Sequence, residues 1–427
     1  MTKRAINIFL IAVFMISQLS CGNGRKSDAN ELLYWSSNNS DEITFAKMVV
    51  EKWNKEHLGR KVTFQPVPEG QSSEEVILAA VVGETTPDIY SNMWQGDVEL
   101  YARANRLVAL DSLPGFMDFI YSRCDSDVVQ EITSSDGHIY QIPWKINPIM
   151  LIYNKKVFES VGYKNPPETY SKFIDAAKKL KYGQGETKWI GYAEVIETWW
   201  QRLFDFYPHY LAASGGAPLI KNNKVVFNNK YAVQTFAFLK QLFDNGYMPR
   251  ERISARQDPF LSNAIATRFT GPWEIVHAER FKPEGFEYDF SYLPVPDDFK
   301  GNKYTYGDTK NIVIFNTCKN KKLVWEFLKF MVSTENDLLF LKTTNQIPRR
   351  KDLITNPEYL EYFNKNPMMM NFAKQAKYVK GPDICPVLKE VFDAISTEYE
   401  ACVVYGKKTP EQAVNDAAKA ANLLLLR

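Results

Sequence analysis

From Leu32 onward, short apolar runs alternate with amphipathic stretches. "LLYW" (Leu32 to Trp35) predicts a strand, and polar "SSNNS" then leads into a helix with a buried stripe of Ile43, Ala46, Val50 and Trp53, capped by Asn39 or Ser40. "KVTFQPV" alternates as a strand does, "SEEVILAAVV" reads as helical up to Gly83, and "PDIY" is a short apolar strand, so the order is β-α-β-α-β. "DGHIYQIP" carries a hairpin-like Asp136-Gly137 turn. "IMLIYN" (Ile149 to Asn154) is a continuous buried strand feeding a helix closed by Gly162. Such alternation predicts mostly parallel sheets covered by helices, an α/β fold.

The last third turns helical. Val324, Phe327, Leu328 and Met331 form one stripe; Leu388, Val391, Phe392, Ile395, Tyr399 and Cys402 form a longer one at helical spacing. "TPEQ" opens the final helix, with Thr409 as cap, Pro410 in the first turn and Gln412 completing a capping box ahead of Ala413, Ala417 and Leu424.

Composition adds scale and compartment. At 427 residues and 45% hydrophobic content, the chain exceeds one compact core and predicts two domains. Lysine and arginine number 52 against 50 acidic residues, which leaves no basic excess for nucleic acid. Lys3 and Arg4 precede an apolar run, Ile6 to Ile16, that is far shorter than the ~20 residues of a membrane span, so it reads as a signal peptide. The run ends in "LSC" (Leu19 to Cys21) followed by Gly22, which resembles the bacterial lipobox whose cysteine is acylated. The polar segment after it suits a tether. Cys124, Cys318, Cys385 and Cys402 are scattered without metal-ligand or redox spacing, and the sequence leaves their state open.

Catalytic signatures are sparse. The chain has no phosphate-binding glycine loop, nucleophile elbow or His-Glu-x-x-His helix, and His57, His138, His209 and His277 stand alone as surface or packing histidines. No metal, cofactor or enzymatic activity is expected, although a pair of carboxylates joined only in space, as in glycoside hydrolysis, leaves little sequence trace.

Aromatic placement is more informative. Among nine tryptophans, Trp35, Trp94, Trp144, Trp199 with Trp200, and Trp273 fall just past predicted strand ends or in turns. Sugars present apolar C–H faces and hydroxyl rims, so a sugar site needs flat aromatic platforms beside amides, carboxylates and hydroxyls. Each of these tryptophans has such company: Ser36, Ser37 and Asn38 beside Trp35, Gln95 and Asp97 beside Trp94, Lys145 and Asn147 beside Trp144, Glu197 and Thr198 before Trp199, and Glu274 after Trp273. Trp53 and Trp325 lie within predicted helices and are assigned to the core.

Several segments taken in order, "GETTPDIY", "DGHIYQIP", "LIYNKKVF", "NPPETYSKFIDAAKKL", "GPWEI", "YDFSYLPVPDD", "IPRRKDL" and "KKTPEQAVNDA", resemble the extracellular solute-binding proteins of carbohydrate ABC importers, the group that includes maltose-binding protein. The resemblance implies a two-lobe periplasmic-binding-protein fold of the class II type, with a hinge crossed near "PWKINP", "YTYGD" and "NQIPRR". It divides the chain into a leader over 1–20, a lipid-anchored tether over 21–31, a first lobe from 32–146 with 306–347, and a second from 147–305 with 348–427. The implied ligand-binding residues are Trp35, Ser36, Ser37, Asn38, Trp94, Gln95 and Asp97 from the first lobe; Asn147 and Trp144 at the first crossing; Trp199, Trp273 and Glu274 from the second lobe; and Asp308 and Arg349 at the later crossings.

Asn147 stands where a relative carries a carboxylate, so the identity of the sugar stays open. The reading is a monomeric, extracytoplasmic lipoprotein anchored through Cys21 that captures a sugar or oligosaccharide and delivers it to ABC permease subunits, without nucleic acid as partner. The alternatives are a surface glycoside hydrolase or lyase using two cleft carboxylates, and a binder of another solute such as a polyol phosphate or a peptide. A binder of that second kind would show fewer cleft tryptophans and more cationic groups.

Overall fold

A computed structural model of the chain describes residues 30–70, 72–253 and 258–426. The leader, Cys21 and most of the tether lie outside them. The first strand begins at Glu31, inside the predicted tether.

Two sheets organise the molecule. The larger has six strands: β1 (Glu31–Ser36), β2 (Lys61–Pro66), β3 (Ile89–Trp94), β4 (Ile142–Pro148), β11 (Thr305–Ile314) and β12 (Val379–Lys380), with path β12-β11-β3-β1-β2 and β4 on β11. The second, in the order β10-β5-β9-β6, contains β5 (Met150–Asn154), β6 (Trp189–Gly191), β9 (Ile265–Thr270) and β10 (Tyr288–Ser291). A short hairpin joins β7 (Ile220–Lys221) to β8 (Lys224–Val225). β1 pairs in parallel with β2 and β3, as the opening β-α-β-α-β predicts.

The expectation of mostly parallel sheets holds only in part elsewhere, where β11 with β12 and β6 with β9 are parallel. β11 is antiparallel to β3 and β4, and β5 is antiparallel to β9 and β10. A strand reached by a helical crossover stays parallel, whereas β11 enters its sheet after an excursion through the other one and is free to run the opposite way. β5 is buried on both faces, as its unbroken apolar run implied, but burial does not specify strand direction.

Local signals place most helices. Asn39 caps Ser40–Glu56 by accepting from the amides of Asp41 and Glu42. The buried face includes Phe45 and Val49 beside Ala46, Val50 and Trp53, while Ile43 is only half-buried, so the stripe is rotated from the one predicted. Ser73–Val82 ends at Gly83, and Pro410–Leu425 carries both reciprocal bonds of the Thr409/Gln412 capping box. The Leu388 stripe belongs to a helix ending at Tyr399 that runs on as a π-turn, Glu400–Val404, containing the buried Cys402. All four later cysteines are buried and free. Asp136-Gly137 makes a tight turn, with one isolated bridge between Thr133 and Ile139 rather than a hairpin. No helix among the described residues is long and apolar enough to cross a membrane.

One core, around Tyr34, Phe45, Trp53, Trp144 and Phe327, lies under the larger sheet. Another, around Leu151, Phe206, Leu239, Phe392 and Ala417, packs the C-terminal helices onto the second sheet. The chain leaves the first half where β4 gives way to β5, and the Ile149 amide there donates to the Tyr306 carbonyl at 2.9 Å. It returns between β10 and β11. The segment 345–350 lies alongside β4, with Ile146 N–H donating to Ile347 O and Arg349 N–H to Trp144 O, each at 2.8 Å. These segments pass so close that a Cβ on Gly307 would sit 2.4 Å from Val379 and 2.8 Å from Ile146, so no side chain fits there.

Candidate functional site

Two tryptophans are seated on glycine. Trp94 closes β3, and its ring folds back over Gly96 so closely that a Cβ there would lie 2.3 Å from it. Trp273 opens the helix Trp273–Phe281 and lies over Gly271, where a Cβ would meet the ring at 2.2 Å. The W-Q-G and G-P-W triplets thus fix two large rings against bare backbone at the ends of strands, one from each half of the molecule.

The halves meet at a seam centred on Trp94. Its ring lies 4.9 Å, centroid to centroid, from Trp199, and its indole N–H donates to the Tyr306 hydroxyl at 3.3 Å. Trp94 is only 2% exposed because residues of the second half cover it; it packs into their apolar cluster. The Lys389 ammonium stands 5.6 Å from the Trp94 ring and 5.4 Å from the Trp199 ring, and pairs with Asp97 at 2.8 Å. Beside it, Lys310 pairs with Glu74 at 3.2 Å and approaches Asp308 at 3.9 Å. Burial raises the Asp97 carboxyl above its ordinary range despite Lys389. Burial pushes Glu74 the same way and is the largest single influence, but Lys310, a backbone hydrogen bond and Lys389 together outweigh it and hold that carboxyl low.

A second knot joins the seam to the segment 345–350. Glu131 receives both terminal nitrogens of Arg349 at 3.0 Å, the Gly381 amide at 3.1 Å and the Gln95 amide nitrogen at 3.2 Å; Gln95 also donates to Pro382 O at 3.3 Å. A Cβ on Gly381 would collide with Gln95 and Glu131 at 2.6 Å, so this approach also depends on glycine. Trp94, Gln95, Asp97, Trp199, Asp308 and Arg349 are therefore gathered along one seam.

Other residues named from the sequence lie elsewhere. Trp144 is fully buried in the first core, with Phe340 at 4.5 Å and Phe45 at 6.0 Å, so its side chain is committed to packing. Trp35 packs under the first sheet, with Ser36 buried beside it, while Asn38 is exposed. Ser37 donates to Glu42 at 2.7 Å, and Glu42 pairs with Lys145 and accepts from Gln346, which in turn accepts from Asn147 at 3.0 Å. Ser37 and Asn147 thus belong to a buried polar cluster between the first half and the chain passages.

Trp273 is 36% exposed and meets Phe204 edge-on at 6.3 Å. Phe204 lines a cavity of about 730 Å³ with Tyr192, Glu194, Trp200, Arg252 and Arg268. Glu274 is buried and bonded to Arg268 and Thr270. Asp258, Glu274 and His277 come within 4.8 Å of one another, but Arg268 bonds both carboxylates and supplies their positive charge.

The sequence reading missed Glu74, Glu131, Tyr306, Lys310 and Lys389. Apart from Asp308 next to Lys310, their partners are 36 to 292 residues away, too far for any local pattern to report.

The sequence profile described as "Bacterial extracellular solute-binding protein" matches residues 37–337. The arabinooligosaccharide-binding protein of Bacillus subtilis (strain 168) is 24% identical over 447 aligned positions, which cover 97% of this chain and 98% of that protein. Among solved structures, an uncharacterised protein of Listeria monocytogenes EGD-e superposes with a TM-score of 0.82 at 27% identity, covering 93% of this chain and all of the other. The sugar-binding protein MalE of Xanthomonas citri shares the fold, with a TM-score of 0.78 at 17% identity over 93% and 97% of the two chains.

Proposed function

Because the chain belongs to the family of bacterial extracellular solute-binding proteins, we propose that it captures a sugar or oligosaccharide between its two halves and presents it to an ABC importer. We further propose that acylation of Cys21 tethers it to the membrane. The observation that carries the sugar reading is the meeting of Trp94 and Trp199 from opposite halves, 4.9 Å apart, beside Asp97, Gln95 and Lys389. Two aromatic faces bordered by hydrogen-bonding groups suit a ring with an apolar face and a hydroxyl rim. A ligand that touches both halves binds the closed arrangement better than the open one, and closure follows from that difference.

The charge pattern weighs against a polyol phosphate. Lys310, Lys389 and Arg349 are each paired with a carboxylate of the seam, so a dianion would find its cations already neutralised. The same pairing argues against a hydrolase, since Asp97, Glu74 and Glu131 are each engaged by a cationic side chain instead of being left free for proton transfer.

The test is a thermal-shift panel of arabinotriose, maltotriose, longer oligomers of each and sn-glycerol 3-phosphate, followed by calorimetric titration. A cognate sugar at 100 times its Kd stabilises the folded form by about 2.7 kcal/mol. A shift with glycerol phosphate alone would overturn the sugar reading, and product sugars after incubation would establish hydrolysis.

A further inference from the structure

Two tryptophans adjacent in the chain serve different places. Trp199 meets Trp94 at the seam, whereas Trp200 is 39% exposed and lines the cavity that holds Phe204. Trp200 opens a 3-10 turn, Trp200–Leu203, and Trp199 precedes it with helical dihedrals. With about three residues per revolution, a slip of one position would exchange the two rings, so the register of this turn decides which ring reaches the seam. The approach to it, residues 192–198, forms neither strand nor helix. Side chains three apart on a 3-10 turn stand on one face, which places Arg202 with Trp199. Arg202 is 1% exposed. Its guanidinium lies 3.9 Å from the centre of the Tyr399 ring, and one of its nitrogens is 3.0 Å from Asp205, the cap of the helix Phe206–Ser214. Tyr399 ends the helix Leu388–Tyr399, and two more residues of that helix hold the approach: Ser396 donates to the Thr198 carbonyl at 3.3 Å and Thr397 to Glu197 at 2.6 Å. An ion pair buried this deeply gives little stability over an apolar pair of the same volume. What it supplies is a fixed direction, and the flat guanidinium adds a stacking plane that lysine lacks.

We propose that Arg202 is a positioning residue for the solute site: wedged between Tyr399 and Asp205, it locks the register of the turn Trp200–Leu203 and so aims Trp199, and not Trp200, at the seam. The role of Trp199 as a sugar platform rests on the function proposed above; the setting of its ring by Arg202 does not. Arg202 is sealed behind the turn and acts on a solute only through Trp199.

Removing Arg202 alone would leave Asp205 buried without its cation, so the deciding variant is Arg202→Met with Asp205→Asn, which takes away both charges and keeps the oxygen that caps the helix. With the indoles labelled with nitrogen-15, the Trp199 resonance is identified by its loss in Trp199→Phe. It should shift in the double variant, while the resonances of Trp53 and Trp144, in the first core, stay in place. Calorimetry with arabinotriose and maltotriose should show that a trisaccharide bound by the wild type binds the double variant about five- to tenfold more weakly, part of the contribution of an aromatic anchor, with the melting temperature near wild type. Arg202→Lys, which keeps the ion pair without the flat stack, should fall between the two in resonance position and in affinity, and it decides the matter if the double variant does not fold. An unmoved Trp199 resonance in the folded variants would overturn the positioning role, whether or not binding weakens. A shifted resonance with unchanged sugar affinity would detach Trp199 from the site and overturn the role as well. If neither trisaccharide binds the wild type, the sugar reading fails, and the resonance still decides what sets the Trp199 ring.

Discussion

Trp144 and Trp273 suggest the same chemistry when read from sequence, and the structure separates them. Trp144→Ala removes a fully buried indole held between Phe45 and Phe340. Its N–H makes no hydrogen bond, so the cost is transfer and cavity alone, ~3 to 5 kcal/mol. At ~2 to 4 °C per kcal/mol, the melting temperature falls on the order of 10 °C. Trp273 is 36% exposed, and its closest packing is on its neighbour Gly271 and edge-on to Phe204, so truncation costs about 1 to 2 kcal/mol. Sugar binding should show the opposite ranking. Loss of one stacking face from Trp273 removes about 2 kcal/mol or more, close to thirtyfold in Kd, whereas Trp144→Ala leaves the affinity of the folded fraction near wild type. Melting by circular dichroism and calorimetric titration on both variants supply the four numbers. If Trp273→Ala melts as low as Trp144→Ala yet binds normally, the platform argument is wrong and Trp273 is a packing residue.

Gly96→Ala places a methyl 2.3 Å from the Trp94 ring and must dislodge it, so sugar affinity should fall about tenfold or more, as titration would read directly. Burial lowers the His209 imidazole to about 4 from 6.5. Between those values only the unfolded chain takes up the proton, so His209 by itself should remove ~3 kcal/mol of stability as pH drops from 6.5 to 4, read as the difference in slope between urea melts of wild type and His209→Gln. Asp383, pushed up to about 6 by burial, contributes in the opposite direction through part of this window and is common to both proteins, so it cancels in the comparison. Cys21→Ser should release the protein from the membrane fraction; a wild type that is soluble and lacks an acyl mass on Cys21 would refute the anchor.

Local rules carried the reading wherever one element decides the outcome. The Thr409 capping box, the Asn39 cap and the burial of Trp53 and Trp325 in helices all follow from neighbours within a few residues. Trp144 misled because "IPWKINP" is buried along its whole length, so its pattern does not tell a core-facing ring from one facing a seam. The direction of β11 and the partner of Lys389 were out of reach for a different reason. Lys389 reads as a solvent-facing lysine beside the apolar stripe of its helix, and only the closing of a 292-residue separation brings it to Asp97. Glu74 likewise looks like an ordinary first-turn acid of its helix until β11 carries Lys310 to it.

The polar groups of the seam share one property that bears on how a solute binds. Asp97, Glu74, Glu131 and Gln95 each hydrogen-bond to other groups of the protein. A solute therefore does not strip water from free charges; it exchanges one internal partner for another, and the net gain is the difference between the two. Such exchange is affordable only where the outgoing partner is loosely held. Glu131 is bonded by Arg349, Gly381 and Gln95 together, and Lys310 is confined between two carboxylates, so both resist exchange and are suited to fix the geometry of the seam. In the Asp97–Lys389 pair one ammonium reaches both carboxylate oxygens, at 2.8 and 2.9 Å, and its lysine end is 31% exposed. Of the ionic contacts in the seam, it is the one whose replacement leaves the rest of the network in place, and the solute's entry is expected there.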